Sequence, residues 1–466
     1  MTASTSTATL TFLGAAGTVT GSKTLLTVDG RTLLVDAGLF QGEKTWRLRN
    51  WEPFPVSPRT VDAVVLTHAH LDHCGYLPAL VREGFAGPVW CTEDTRRLAE
   101  IVLRDSAYLQ ESDAAHAARR GYSRHHPPRP LYTVTDVEQS LPLFRTVDFD
   151  EEHLVDPAVG LQVRMTRAGH ILGSASVSVT WPGGSVLFSG DLGRVDHPVL
   201  RSRDIPPGAH HVVVESTYGD REHPDPDGAA YEKLADAVRR TTARGGTVLV
   251  PAFAVDRTEV VLQALSQLRR AGRIPDVPVI VNSPMALAAL RVYRQAASRG
   301  ELRPDLRGEL ADLPTLREAR TVEESRALNR PRMPCVIISS SGMTTGGRVV
   351  HHLRHLLPDR RNTVVLTGYQ AVGTRGRALA EGAHQVKMHG EYVPVRAEVV
   401  QVDEFSVHAD ASDLLSWVAA LEPAPRTVLV NHGEADSARA LARRIDEELG
   451  LVAVAVRHGE VVSVRH

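Results

Sequence analysis

The chain has 466 residues, of which 42% are hydrophobic and 23% charged, and its formal net charge is -2. That length calls for more than one domain, each able to bury a core, and the charge excludes nucleic-acid binding by overall electrostatics, so any such contact must come from local basic groups. The three cysteines, Cys74, Cys91 and Cys335, include no Cys-x-x-Cys and build no disulfide framework, which fits a reducing cytoplasm. The N-terminal MTASTSTATLTFLG lacks the regions of a secretory signal. No stretch approaches the ~18 apolar residues of a membrane span, so no membrane partner is expected.

Residues 8–36 read as strands, and 24–28, Asp29-Gly30 and 32–36 form a hairpin signal because Asp-Gly suits a tight turn. The apolar, β-branched segment 61–66 reads as a short buried strand. THAHLDHCG (67–75) follows it and places three histidines and an aspartate between positions 68 and 73. A lone histidine there would be an ordinary hydrogen-bonded loop residue. His68, His70, Asp72 and His73 together offer the imidazoles and carboxylate that bind zinc and similar ions, on a loop held by a rigid strand. A helix is expected over 94–109 with Thr92 as its cap, then strands at 161–166, 174–180 and 185–189. These segments predict a mixed, largely antiparallel layer with flanking helices.

The pattern changes at about 205. A strand at 212–215, a helix at 229–243, a strand at 247–250, a helix at 257–270, a strand at 279–282, a helix at 285–297, a strand at 335–339, a helix at 347–357 and a strand at 363–367 alternate strictly. Such alternation predicts a parallel sheet covered by helices. The charged, proline-containing stretch 299–334 reads as an irregular excursion. Near 385 the first style returns: a strand at 396–402, a helix at 410–420, a strand at 426–431, a helix at 435–448 and a closing hairpin of 452–457 with 460–465. The expected division is therefore 1–204, an insertion over 205–385, and 386–466.

Further candidate ligands follow other strands: His170 in TRAGH, Asp191 in SGD and His432 in VLVNHG. Each alone is weak, but four strand ends offering His or Asp are not expected by chance. With Asp36 at a strand end, His-x-His-x-Asp-His, a lone histidine, a lone aspartate and a late histidine, in that order, the chain resembles the metallo-β-lactamase superfamily. VVVESTYGDR (212–221), with Glu215, and DEFSVHAD (403–410), with His408, resemble its β-CASP nucleic-acid-processing branch. PAFAVDRTE (251–259), SSSGMTTGGR (339–348) and LTGYQAVGTRGR (366–377) do so as well.

The resemblance implies an α/β chain, a metallo-β-lactamase αββα sandwich carrying an inserted β-CASP domain with a mainly parallel sheet. It implies one zinc on His68, His70 and His170, a second on Asp72, His73 and His432, and Asp191 between them. Manganese is a chemical substitute. Asp36 would brace the metal loop, a hydroxide shared by the ions would attack, and Asp72 would also take the water's proton. His408 would act as general acid, with Glu215 orienting it. RNA-acting members carry a histidine at the position of His432 and DNA-repair members a small apolar residue, so single-stranded RNA is the expected substrate and endonucleolytic cleavage the expected reaction.

The rivals are a 5′-exonuclease on RNA or DNA, a small-molecule metallo-hydrolase, and a non-catalytic scaffold. The insertion and the Glu215/His408 pair speak against the second, and the filled ligand positions against the third. A homo-oligomer is left open. Ser340, Gly347 and the glycine-rich stretch around them offer donors for phosphates. Arg257, Arg348 and Arg375 are candidate backbone clamps, each as readily a surface arginine in a salt bridge. His351 and His355 are assigned to the substrate side or to plain exposed surface, and His384 and His389 to ordinary roles.

Overall fold

The computed structural model describes residues 7–120, 128–223, 231–306, 310, 312–368 and 370–464. The first residues of the helix expected over 229–243 and the last of the strand expected over 460–465 lie outside them. The chain forms two compact units. One is Met1–His197, Ser202–Glu222 and His408–His466, and the other is Pro198–Arg201 with His223–Val407.

The first unit holds two seven-stranded sheets. One runs in the order Val461–Ser463, Ala8–Phe12, Thr24–Val28, Arg31–Val35, Ala63–Val65, Val89–Cys91, Phe144–Thr146. Its hairpin turns at Asp29 and Gly30, both with positive φ, as a tight two-residue turn requires. The other sheet runs Ala453–Ala455, Thr427–Val430, His211–Val214, Gly184–Phe188, Ala175–Trp181, Leu161–Arg167, Glu152–Asp156.

Leu10, Leu26, Leu33 and Val65 of the first sheet share one buried core with Val163, Val177, Val186 and Val213 of the second. Strand neighbours point to opposite faces. Leu187, Val212 and Val214 accordingly reach a different core, where Leu414, Trp417, Leu441 and Ile445 of helices Ala411–Ala419 and Ala435–Leu449 cover the second sheet. Each such fully buried side chain contributes roughly 1.5–3 kcal/mol. The helix expected over 94–109 runs from Glu93 to Arg120. Thr92 caps it by accepting from the Thr95 amide at 3.2 Å, and it packs on helix Val134–Ser140 and strand Phe144–Thr146.

The second unit holds a six-stranded, wholly parallel sheet in the order Leu316–Glu318, Val279–Val281, Cys335–Ser339, Thr247–Pro251, Thr363–Thr367, Glu398–Val402, and a separate antiparallel pair, Gln385–Met388 with Glu391–Pro394. Its three strands Cys335–Ser339, Thr247–Pro251 and Thr363–Thr367 are buried along their whole length, as expected of a parallel sheet covered on both faces. The irregular excursion over 299–334 supplies its edge strand, Leu316–Glu318, and a short helix, Val322–Ala327, with a Thr321/Glu324 capping box.

Strand pairing moves both expected boundaries. His211–Val214, expected at the start of the insertion, lies between Gly184–Phe188 and Thr427–Val430 of the sandwich. Glu398–Val402, expected beyond the insertion, pairs with Thr363–Thr367 in the parallel sheet. Both are short apolar strands followed by helix or turn, and alternation alone does not say which sheet accepts them. The closing hairpin is corrected too. Ala453–Ala455 joins Thr427–Val430 in one sheet, while Val461–Ser463 joins Ala8–Phe12 in the other. The connection at Arg457–Gly459 crosses the sandwich instead of reversing within a sheet. Among the described residues, no helix is long and apolar enough to cross a membrane.

Trp417 is 1% exposed at the centre of the outer core. Trp417→Ala is expected to destabilise the first unit by about 3–5 kcal/mol, read as a lowered midpoint in chemical denaturation followed by circular dichroism.

Candidate metal centre

In the second sheet of the sandwich, Gly184–Phe188, His211–Val214 and Thr427–Val430 are parallel neighbours. Leu161–Arg167 is related to Gly184–Phe188 by two antiparallel steps through Ala175–Trp181, so it runs the same way. All four C-terminal ends therefore lie on one edge, and the residues just beyond them are His170, Asp191, Glu215 and His432. In the first sheet Arg31–Val35 and Ala63–Val65 are parallel and end at Asp36 and at the loop from Thr67 to His73.

Backbone contacts clamp that loop. The amides of Ser22, Ala37 and Leu39 donate to the carbonyls of Asp72, His73 and Leu71 at 2.7, 2.7 and 2.8 Å. A Cβ on Gly38 would sit 1.6 Å from the Asp72 carbonyl oxygen, so only glycine fits there. Asp36 and His432 hold left-handed φ values of 62° and 48°. Such values are uncommon outside glycine and persist only where surrounding contacts enforce them.

The loops bring the candidate ligands into two groups. In the first, ligand atoms of His68, His70, His170 and Asp191 lie within 4.8 Å of one another, and in the second those of Asp72, His73 and His432 do so. His68 Nε2 and His170 Nε2 are 3.1 and 3.2 Å from His70 Nδ1, and His73 Nε2 is 3.0 Å from His432 Nε2. A tetrahedral zinc with bonds of about 2.0–2.1 Å sets its ligands about 3.3 Å apart, so these spacings fit.

Asp191 faces both groups. Its Oδ2 is 3.7 Å from His68 Nε2 and from His170 Nε2. Its Oδ1 is 3.3 Å from His73 Nε2 and 3.4 Å from His432 Nδ1, yet is buried without an aligned hydrogen bond. Asp72 Oδ2 is 3.8 Å from His432 Nε2. Glu215 also comes within 4.8 Å of Asp191 and His432.

The electrostatics suit cations. Burial, helped by neighbouring imidazoles, holds His68 and His170 well below the usual histidine value, and burial lowers His70 as well. They stay neutral and keep lone pairs for a ligand bond. Burial also opposes charge on His73, but Asp191 and Asp36 overcome it and raise His73 well above its ordinary value. Burial works against ionised Asp191 too, and His432 with His73 draws it well below the carboxylate range.

Asp36 organises the loop from behind. Its carboxylate accepts from Ser22 Oγ at 3.1 Å, from the Thr67 amide at 2.9 Å and from Thr67 Oγ1 at 3.0 Å, and lies 2.7 Å from His73 Nδ1. Thr67 Oγ1 is also 3.0 Å from His68 Nδ1. With its single hydrogen on Asp36, Thr67 accepts from His68 Nδ1–H, and both imidazoles turn Nε2 inward. The sequence reading missed Thr67 and Ser22.

His408, which is bridged to Gly193, sets Nδ1 3.5 Å from Glu215 Oε1, the outer limit of a hydrogen bond. Its ring centroid is 4.3 Å from that of His170.

Residues 17–252 match the metallo-beta-lactamase superfamily, 258–379 the Beta-Casp domain, and 392–456 the Zn-dependent metallo-hydrolase RNA specificity domain. Ribonuclease TTHA0252 of Thermus thermophilus is 38% identical over 97% of this chain and 99% of its own length. The chain belongs to the β-CASP branch of the metallo-β-lactamase superfamily. It is accordingly a metal-dependent hydrolase.

Transcription termination factor FttA of Pyrococcus horikoshii is 32% identical, and the match spans 87% of this chain and 62% of that protein. An RNase J-like protein of Methanocaldococcus jannaschii is 29% identical over 88% of this chain and 90% of its own length. A solved structure of a protein of unknown function from Enterococcus faecalis shares the fold with a TM-score of 0.53, at 14% identity, covering 98% of this chain and all of that one.

The β-CASP unit gives a different account of the expected arginine clamps. Arg257 is 7% exposed and donates to the Thr367 carbonyl. Arg348 donates to Asn282 Oδ1 and to the carbonyls of Ala319 and Arg320 at 2.7–3.0 Å. Arg375 donates to the carbonyls of Lys387, Thr344 and Thr345 at 2.7–3.0 Å. These guanidinium groups tie the unit's own backbone together, and a sequence does not distinguish such an arginine from one facing a ligand. Gly347 caps helix Arg348–Leu356 at φ 75° and ψ -166°, and Ser340 Oγ donates to Ser283 Oγ at 3.0 Å. His351 stacks on His389 at 4.8 Å.

Because Asp36 fixes two imidazoles, Asp36→Asn should weaken metal binding by roughly 10–100-fold, measured by competition with a chromophoric chelator, with the circular dichroism spectrum unchanged. Asp191 and Asp36 favour a proton on His73 in the metal-free protein, and a metal on Nε2 displaces it. Calorimetric titration with zinc in buffers of different ionisation enthalpy should therefore show proton release at pH 7. Affinity should rise with pH until His73 is deprotonated in the free protein.

Proposed function

We propose that the chain is a zinc-dependent endoribonuclease acting on single-stranded RNA. The carrying observation is the pair of donor groups sharing Asp191, set beside His408 and Glu215. The near full-length similarity to a protein named as a ribonuclease points the same way. His68, His70 and His170 would hold one ion and Asp72, His73 and His432 the other, with Asp191 between them. Bound there, two divalent cations would neutralise phosphate charge and lower the pKa of water.

The protein's own part is proton traffic and orientation. Glu215 is fixed, its Oε1 accepting from the Leu192 amide at 2.7 Å and its Oε2 from the Thr217 amide at 3.3 Å. His408 turns Nδ1 toward that carboxylate, so the transferable proton sits on Nε2. Its side chain is 18% exposed, against 0% for His68 and 1% for His170. His408 can thus reload from solvent while the ligand histidines stay dry. Asp72, at 21%, is the most accessible carboxylate of the two groups and is the acceptor for the proton that the attacking water gives up.

His408→Ala should slow RNA cleavage by about 10²–10⁴-fold, the usual contribution of a general acid, with metal content unchanged. The defect should shrink on bis(p-nitrophenyl) phosphate, whose leaving group needs no proton, whereas His432→Ala should lose both reactions. Equal losses on both substrates in both variants would overturn the acid assignment. Elemental analysis should find close to two zinc ions per chain, and Asp191→Ala should lose metal and activity together. A covalently closed circular RNA should be cut, since endonucleolytic attack needs no end. If only linear RNA with an accessible 5′ end is degraded, the reaction is exonucleolytic.

A further inference from the structure

In the second unit the glycine-rich loop follows the C-terminal end of Cys335–Ser339. A cavity of about 580 Å³ opens at the opposite edge, where Pro278 and Cys335 begin their strands. Its wall carries Arg317 from the edge strand, Arg326 from helix Val322–Ala327, Arg330 and Arg332 from the following turn, and His355. Among the described residues no acidic side chain lines it. Among the described residues none of the four arginines makes an ion pair, in contrast to Arg320, which Glu318 neutralises. Partial burial first, and then the Arg330 and Arg354 charges, hold His355 below the ordinary histidine value. Ile280 supplies apolar wall, and Met333, 57% exposed, an apolar rim.

We propose that this cavity binds the phosphate backbone of single-stranded RNA at a point distinct from the metal centre, with a base resting on Ile280 and Met333. The proposal rests on the ribonuclease reading. The volume lies within the ~300–1,000 Å³ range of ligand pockets. Guanidinium forks match phosphate oxygens in pairs and shed little hydration on binding. The four come from a strand, a helix and a turn, which suits successive phosphates along a strand better than one compact anion. Among the described residues no carboxylate is present to read a ribose hydroxyl, as a dedicated nucleotide site would have.

The test uses the full-length, metal-loaded protein with Arg326→Gln, Arg330→Gln and Arg332→Gln combined. All three side chains are exposed, so folding is not at stake. Binding of a long single-stranded RNA to His408→Ala protein, with and without the triple change, is measured across a salt series. Losing three phosphate contacts should reduce the slope of log K against log salt by about 2, with at least tenfold weaker binding at low salt. Cleavage of a dinucleotide and of bis(p-nitrophenyl) phosphate by the triple variant in the His408 background should match the parent.

An unchanged affinity and salt slope would overturn the cavity assignment. So would binding of a nucleoside triphosphate that is lost in the triple variant while RNA binding is not. A parent that hydrolyses the p-nitrophenyl diester but neither binds nor cuts RNA would instead sink the ribonuclease reading itself, so the two failures are distinguishable.

Discussion

The buried carboxylate of Asp36 is the interaction on which the metal loop depends. An ionised carboxylate away from water is costly unless hydrogen-bonded throughout. Here Ser22, the Thr67 amide, the Thr67 hydroxyl and His73 surround it. To reach them the backbone leaves strand Arg31–Val35 in a left-handed turn that non-glycine residues disfavour. The hydrogen bonds offset that strain, and they fix more than position. They decide which nitrogen of His73, and through Thr67 which nitrogen of His68, faces the centre.

The same edge shows why a sandwich of this topology can assemble such a cluster. Four strands of one sheet and two of the other end on it, each delivering its polar residues one to eight positions past its last paired residue. No single loop would hold five imidazoles within a few ångströms. Packed without cations they repel as soon as any is protonated, and burial drives most of them neutral. His73 is the exception because two carboxylates flank it. The centre is therefore an arrangement of neutral donors around negative oxygens, a distribution that positive charge completes.

Much of this was legible beforehand, for identifiable reasons. The Asp29-Gly30 hairpin, the buried strand before Thr67 and the alternation over 247–367 are local signals, and the structure follows them. The candidate ligands stood out because imidazole and carboxylate at strand ends are chemically conspicuous, and the structure gathers them into two groups. Non-local pairing was not. His211–Val214 and Glu398–Val402 read alike as short apolar strands, yet they belong to different sheets. Residues 452–465 have the alternation of a hairpin, but which sheet a strand joins is set by the face that must be buried, and here the two halves serve opposite walls of one core. Thr67 escaped because a threonine beside a histidine carries no chemical mark until its hydroxyl is seen between His68 and Asp36.

The arginines make the same point from the other side. Arg257, Arg348 and Arg375 stand in or beside the glycine-rich motifs and drew attention for that reason. They donate to carbonyls of Thr367, Thr344 and Thr345 in those motifs and to Asn282, Ala319, Arg320 and Lys387 elsewhere in the unit. A tight loop rich in glycine exposes carbonyl oxygens, and a buried arginine is an efficient way to satisfy several at once. Proximity to such a motif thus predicts structural use of an arginine as readily as phosphate contact. The excursion over 299–334 is the opposite case. It has a capped helix and an edge strand to satisfy its backbone, and two of its carboxylates are occupied elsewhere, Glu318 by Arg320 and Glu324 in the capping box. Arg317, Arg326, Arg330 and Arg332 are left without an ion pair among the described residues, and that availability, more than sequence motif, marks a surface for a polyanion.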